Sequence, residues 1–144
     1  MGKKRIAQKS GDGKAKKAAS GGSVQAPRKK LDTGRLHVEA TYNNTKVHLS
    51  DTKGNVVCWS SSGALGFNGA RKGTPYAAAK VGEVIGDLAR QMGVKDVNVA
   101  ITGVGSGRES AVRGFVSKGI NIVSIEDRTP VPHNGPRPPK PRRV

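Results

Sequence analysis

The chain of 144 residues has one cysteine, Cys58, so it cannot close an internal disulfide and is expected in a reducing compartment. Aromatic residues make up 3%, too few for a broad platform on which bases stack. No apolar run approaches the ~20 residues that a membrane helix needs, which excludes a spanning protein. Acidic residues are scarce: 10 Asp and Glu stand against 26 Lys and Arg, a formal charge of +16. Such a balance favours a polyanionic partner, nucleic acid before a membrane surface. Hydrophobic residues at 34%, together with 20 glycines, bring the apolar share near the globular norm. The expectation is one domain with a modest core and tails. Internal repeats are not visible.

The positive charge is unevenly placed. Residues 1–30 hold 10 basic residues and one acid, Asp12; residues 31–130 hold 12 basic and 9 acidic; residues 131–144 hold 4 basic and none acidic. The middle is nearly balanced, and the ends hold the surplus. The first block, rich in Gly, Ala, Ser and Lys, cannot bury enough surface to offset chain entropy, so a flexible basic arm is expected over 1–32. A solubilising tail and a transit peptide are its rival readings. Met1-Gly2 does not open a myristoylation signal, because Ile6 stands where Ser or Thr is required. The last block holds most of the prolines, so residues 131–144 are expected to form an extended, polyproline-like basic tail. A Pro-rich ligand for an aromatic groove is the alternative there.

Between them lies an expected globular unit, 33–130. Leu36, Val38, Ala40 and Tyr42 alternate with polar residues over 35–42, as do Val47 and Leu49 over 45–51, which reads as two half-buried strands. Asn43-Asn44 between them suits a two-residue hairpin turn pairing Tyr42 with Thr45, Ala40 with Val47 and Val38 with Leu49. In that register Glu39 lies opposite His48. Asp51–Gly54 reads as a turn into a strand at 55–61, with Cys58 a core thiol. The glycine-rich, aperiodic stretch 62–74 reads as a loop. Thr74-Pro75 opens a helix that runs through Ala78, Val81, Val84, Ile85, Leu88 and Met92 to a stop at Gly93. Gly82 and Gly86, four apart, suggest close packing on a sheet. A buried strand at 97–102, a short helix at about 108–118 and a last strand from Ile120 to Asp127 complete the order βββαβαβ. It implies a mixed sheet with helices packed against it.

The sharpest local feature is Gly103-Val104-Gly105-Ser106-Gly107, between a strand and a helix start. Its backbone N–H groups suit an anion-binding nest. A dinucleotide site has this context, with Glu126 about where a ribose-binding acid belongs, but position 108 is Arg where the third glycine should stand. No Gly-Lys-Ser/Thr makes it a Walker loop. Arg108 beside the nest fits RNA backbone, and a purely structural glycine turn is the competing reading. No zinc pattern, H-E-x-x-H or G-x-S-x-G elbow appears, and His37 and His48 read as solvent-face strand residues, so neither an enzyme nor a metal site is expected. The residues best suited to RNA are Asn43, Asn44, Arg71, Lys72, Arg108, Arg113, His133, Arg137, Lys140, Arg142 and Arg143, on loops and tails. They would hold phosphates, 2′-hydroxyls and RNA shape.

Four motifs, in order, bear a resemblance: YNNT at 42–45, GFNGARKGTPYAA at 66–78, GVGSGRES at 103–110 and DRTPVPHNGPRPPKPRRV at 127–144. Over about residues 33–144 the chain resembles the family of universal small-subunit ribosomal protein number eleven, of bacterial or organellar type. The arm before residue 30 departs from that pattern, as does Pro136, where the family often has another residue. The resemblance implies a ribonuclease-H-like α/β fold without the nuclease carboxylates, and a structural role. It further implies bridging of 16S-type rRNA helices on the small-subunit platform, near the mRNA exit and the Shine–Dalgarno region, beside small-subunit proteins seven and eighteen. Carried over by position, Asn43, Asn44 and Thr45, the loop Arg71–Thr74 with Lys72, the segment with Gly103, Gly105, Gly107 and Arg108, and the tail with His133, Asn134 and Gly135 are RNA-facing. No cofactor is implied. The setting implied is the cytoplasmic ribosome of a bacterium, with an organellar ribosome as the alternative. Asn134-Gly135 is also a candidate for isoaspartate formation, with an ordinary turn as its rival. The other functions weighed are a nucleotide-dependent or nuclease-like enzyme and a non-specific nucleic-acid-binding protein.

Overall fold

A computed structural model describes residues 30–143. All but residues 30–32 of the expected flexible arm, and Val144 of the tail, lie outside the described residues. Strands β1 (Thr33–Ala40), β2 (Thr45–Ser50) and β3 (Val56–Ser61) come first, then helix α1 (Pro75–Met92), β4 (Asp96–Thr102), helix α2 (Gly107–Val116) and β5 (Asn121–Asp127). The order is the expected βββαβαβ. A 3-10 helix, Gly69–Gly73, is set into the stretch expected as loop.

The five strands form one mixed sheet in the order β3-β2-β1-β4-β5. Only β2 runs against its neighbours; β1, β4 and β5 are parallel. Alternation places Leu36, Val38, Val47, Leu49, Val97 and Val99 on one face, where they are buried against Val81, Ile85 and Phe115 of the two helices. Helix α1 starts where Thr74 Oγ1 accepts the Ala77 N–H at 3.3 Å and stops where Gly93 takes φ 83°. Cys58 lies in the core as expected, and burial pushes its thiol up to about 11. Among the described residues no helix is long and apolar enough to cross a membrane.

The β1–β2 register corrects the expected one. Ala40 faces Thr45, Val38 faces Val47 and Leu36 faces Leu49, so the chain reverses around Tyr42-Asn43 instead of Asn43-Asn44. The two registers differ by two residues and keep the same side chains on the core face, so hydrophobic alternation cannot choose between them. Local hydrogen bonds do: Thr41 N–H donates to the Asn44 carbonyl at 2.9 Å, and Asn44 N–H donates to Thr41 Oγ1 at 3.1 Å. Tyr42, expected on the apolar face, stands 77% exposed at the tip. Glu39 consequently opposes Lys46 rather than His48, with Nζ and Oε2 3.9 Å apart.

Gly82 and Gly86 also differ from expectation: they meet α2, not the sheet. A Cβ on Gly82 would overlap the Ala111 carbonyl, one on Gly86 would crowd the Phe115 carbonyl and the Lys118 stem, and one on Gly114 would overlap the Ala79 carbonyl. The helices approach backbone to backbone, which only glycine permits here. Gly82→Ala should therefore destabilise the protein by about 2 kcal/mol, despite the ~1 kcal/mol by which Ala outranks Gly in a free helix. Urea unfolding measures this; an unchanged or raised midpoint contradicts the packing argument.

Candidate nucleic-acid interface

Because β1, β3, β4 and β5 run the same way, they end on one side of the sheet, and both helices begin there. Ligands of open α/β sheets gather at such an end, where connecting loops meet helix N-termini. Three loops converge: the β1–β2 turn, the segment Asn68–Thr74, and Gly103–Ser106 between β4 and α2. Ser106 Oγ donates to the Gly73 carbonyl at 2.9 Å, and Gly105 N–H to the Ala40 carbonyl at 2.8 Å. A Cβ would overlap Tyr42 O from Gly73, Ala40 O from Gly103, Thr41 O from Gly105 and Thr45 Oγ1 from Gly107. Four glycines thus let the loops nest on one another.

The tail leaves the body at this end. Arg128 N–H donates to the Ile101 carbonyl at 2.8 Å, and Thr129 Oγ1 accepts the Gly103 N–H at 3.2 Å. Asp127 receives the Thr129 hydroxyl at 2.6 Å and the Thr129 N–H at 3.0 Å, and pairs with Arg108. These bonds, those from Thr129 first, hold the Asp127 carboxyl down at about 2.

The expected site residues divide by position. Asn43 and Arg71 are exposed, Asn44, Lys72 and Thr74 half-buried, and all five lie on the converging loops. Thr74 is the α1 N-cap. Thr45, Gly105 and Gly107 lie at the same end but are buried beneath it. Arg108 turns inward: its guanidinium donates to the Gly103 carbonyl and to Asp127. The N–H groups of Gly103, Gly105 and Arg108 are all used within the fold, the last toward the Gly105 carbonyl, so the nest has lost three of its donors to internal bonds. Glu126, weighed as a ribose-binding acid, pairs with Arg128 at 2.6 Å. Arg113 is not brought to this end; it lies in the last turn of α2, exposed and paired with Glu109 at 3.3 Å. His133, Asn134, Gly135, Arg137, Lys140, Arg142 and Arg143 are exposed along the tail, with Asn134 in the left-handed region at φ 55°.

Other features of this end went unread in the sequence. Asn44 Oδ1 and Thr45 Oγ1 are buried with no hydrogen-bond partner among the described residues, open capacity for an added donor. Exposed Tyr42 and Tyr76 flank the loops, and Tyr76 meets Phe67 edge to face at 6.1 Å. Among the described residues, no group of three or more His, Cys, Asp or Glu could hold a metal ion.

Compared with models of protein families, residues 34–143 match the one described as ribosomal protein S11. The match spans the sheet, both helices, the converging loops and nearly all of the tail.

The Asp127 clamp has a definite pH signature. Its folded carboxyl titrates below its ordinary value of 3.8, so the bonds to Thr129 and Arg108 are fully present above about pH 4 and are lost as pH falls through about 2. An NMR titration of the Asp127 carboxyl should show a midpoint near 2, with the Thr129 amide shifting in step. A midpoint near 3.8 contradicts the clamp.

Proposed function

The chain belongs to the ribosomal protein S11 family, and from that premise we propose that it ties small-subunit rRNA helices together through the loop end of its sheet and its basic tail. Membership makes it a structural protein of the small ribosomal subunit, associated with ribosomal RNA and other ribosomal proteins. The finer reading places it on the platform, on 16S-type rRNA near the mRNA exit and the Shine–Dalgarno region, next to small-subunit proteins seven and eighteen. The ribosome in question is that of a bacterial cytoplasm, with an organelle as the alternative.

One observation supports this above the others: the three loops and the tail root meet at a single end, with Arg71 and Lys72 on the rim. RNA strands that converge there repel each other through their phosphates, and the cations offset that repulsion while releasing counterions. Asn43 and Asn44, on the turn at this end, face the same strands. Thr45, Gly103, Gly105 and Gly107 serve from beneath, by setting the loops at close range. Arg108 holds the tail root in place. Beyond Pro130 the tail, which forms no hydrogen bond or ion pair with the body among the described residues, could reach roughly 40 Å as an extended polyproline-like segment, placing His133, Arg137, Lys140, Arg142 and Arg143 between strands.

Binding to small-subunit rRNA should fall steeply with salt. The double variant Arg71→Ala/Lys72→Ala should bind about tenfold more weakly and lower the salt slope by about 2. Filter binding across a salt series checks both; affinity indifferent to salt and to the variant overturns the reading. Arg113→Ala, remote from the loops, should have a much smaller effect.

Asn134-Gly135 belongs to the same proposal as a modification site. The Gly135 nitrogen attacks the Asn134 side-chain carbonyl and expels ammonia, and water then opens the succinimide to isoaspartate. Asn134 is exposed and followed by a residue with no side chain to shield it. Peptide mapping of the protein from assembled subunits should find isoaspartate at 134; unmodified asparagine throughout removes the site.

A further inference from the structure

Among the described residues nothing covers the sheet face opposite the helices, and it gathers the one tryptophan and two of the three histidines. Trp59 of β3 faces His48 of β2, which faces His37 of β1, so the three rings form a row across neighbouring strands. The two imidazoles stack, with centroids 4.6 Å apart and planes 10° from parallel. Burial of the rings lowers the pKa of both histidines, which favours neutral rings. His48 and Trp59 line, together with Lys46 and Val56, a shallow cleft of about 250 Å³. Trp59 is 61% exposed, an unusual position for so large an apolar ring unless something covers it.

The surrounding charges argue for what that is. A second cleft of about 400 Å³ lies beside the histidines and is lined by Arg35 and Lys53. Neither cation has an ion pair among the described residues. Three carboxylates on this side are occupied: Asp51 accepts the N–H groups of Lys53 and Asn55, Glu126 pairs with Arg128, and Glu39 lies 3.9 Å from Lys46; Asp96, at the start of β4 on the same face, has no ion pair among the described residues. An apolar protein surface would have to strip water from Arg35 and Lys53 without compensation, whereas a phosphodiester chain neutralises them.

We propose that the open sheet face is a second RNA contact, in which an unpaired base enters the cleft between Trp59 and His48 and stacks on the indole while Lys46, Lys53 and Arg35 meet the adjoining phosphates. This rests on the ribosomal RNA reading above but concerns a different surface from the loop end. Planar aromatic walls accept any base, so the contact selects single-stranded RNA with little regard to sequence.

Because Trp59 is the single tryptophan, its emission reports on this face alone. The full chain is titrated with small-subunit rRNA, with a single-stranded hexauridylate and with a duplex of similar length, binding being followed separately by anisotropy of labelled RNA. Both rRNA and hexauridylate should quench Trp59, and the duplex should not. Trp59→Leu should weaken hexauridylate binding about tenfold, His48→Ala should weaken it less, and Trp59→Phe should restore most of it. Unchanged Trp59 emission at saturating rRNA overturns the base contact while leaving the loop-end reading intact. Equal quenching by the duplex also overturns it. Shielding of Trp59 only after other small-subunit proteins are added assigns the face to a protein and overturns it. Failure to bind rRNA at all overturns both readings.

Discussion

Backbone lying against backbone at one end of the sheet is the constraint on which the rest depends. Four of the five strands finish there, so the connections that follow them must share a small space. They fit because Gly73, Gly103, Gly105 and Gly107 present no Cβ to the carbonyls and hydroxyl they approach. The same device joins the helices through Gly82, Gly86 and Gly114, which lets α1 and α2 sit together over one face of the sheet. Glycine in this chain is spent on proximity more than on flexibility.

Charge is arranged around that framework in a complementary way. The few carboxylates are engaged in local work: Asp51 closes a turn, Asp127 fixes the tail root, and Glu83, Glu109 and Glu126 each pair with a cation close in sequence. Exposed pairs of this kind contribute little to stability. Their consequence is that, among the described residues, Arg71 and the tail cations have no ion-pair partner, and free cations are what an RNA backbone requires.

Much of this was legible in the sequence. Thr74-Pro75 and Gly93 bracket α1, the period-two alternation of Leu36, Val38, Val47 and Leu49 marks a one-sided sheet, and the four motifs mark the family. What escaped had physical reasons. Hydrophobic alternation is blind to a slip of two, so the Thr41 hydrogen bonds were needed to place the turn and to reveal Tyr42 as exposed. The spacing of Gly82 and Gly86 announced a close neighbour without saying whether it was strand or helix. The inward turn of Arg108 depends on Asp127, nineteen residues away and adjacent only once β4 and β5 pair. A count of aromatics could not see that Trp59 stands in register with His48 and His37.

Hydrogen exchange of the full chain, free and bound to small-subunit rRNA, tests the central claim most directly. The account predicts slowed exchange at 41–44, 68–74, 103–106 and 128–143, with the solvent side of α1 near Arg90 unchanged. Protection centred on the outer surface of the helices, with the loop end exchanging as in the free protein, would contradict it.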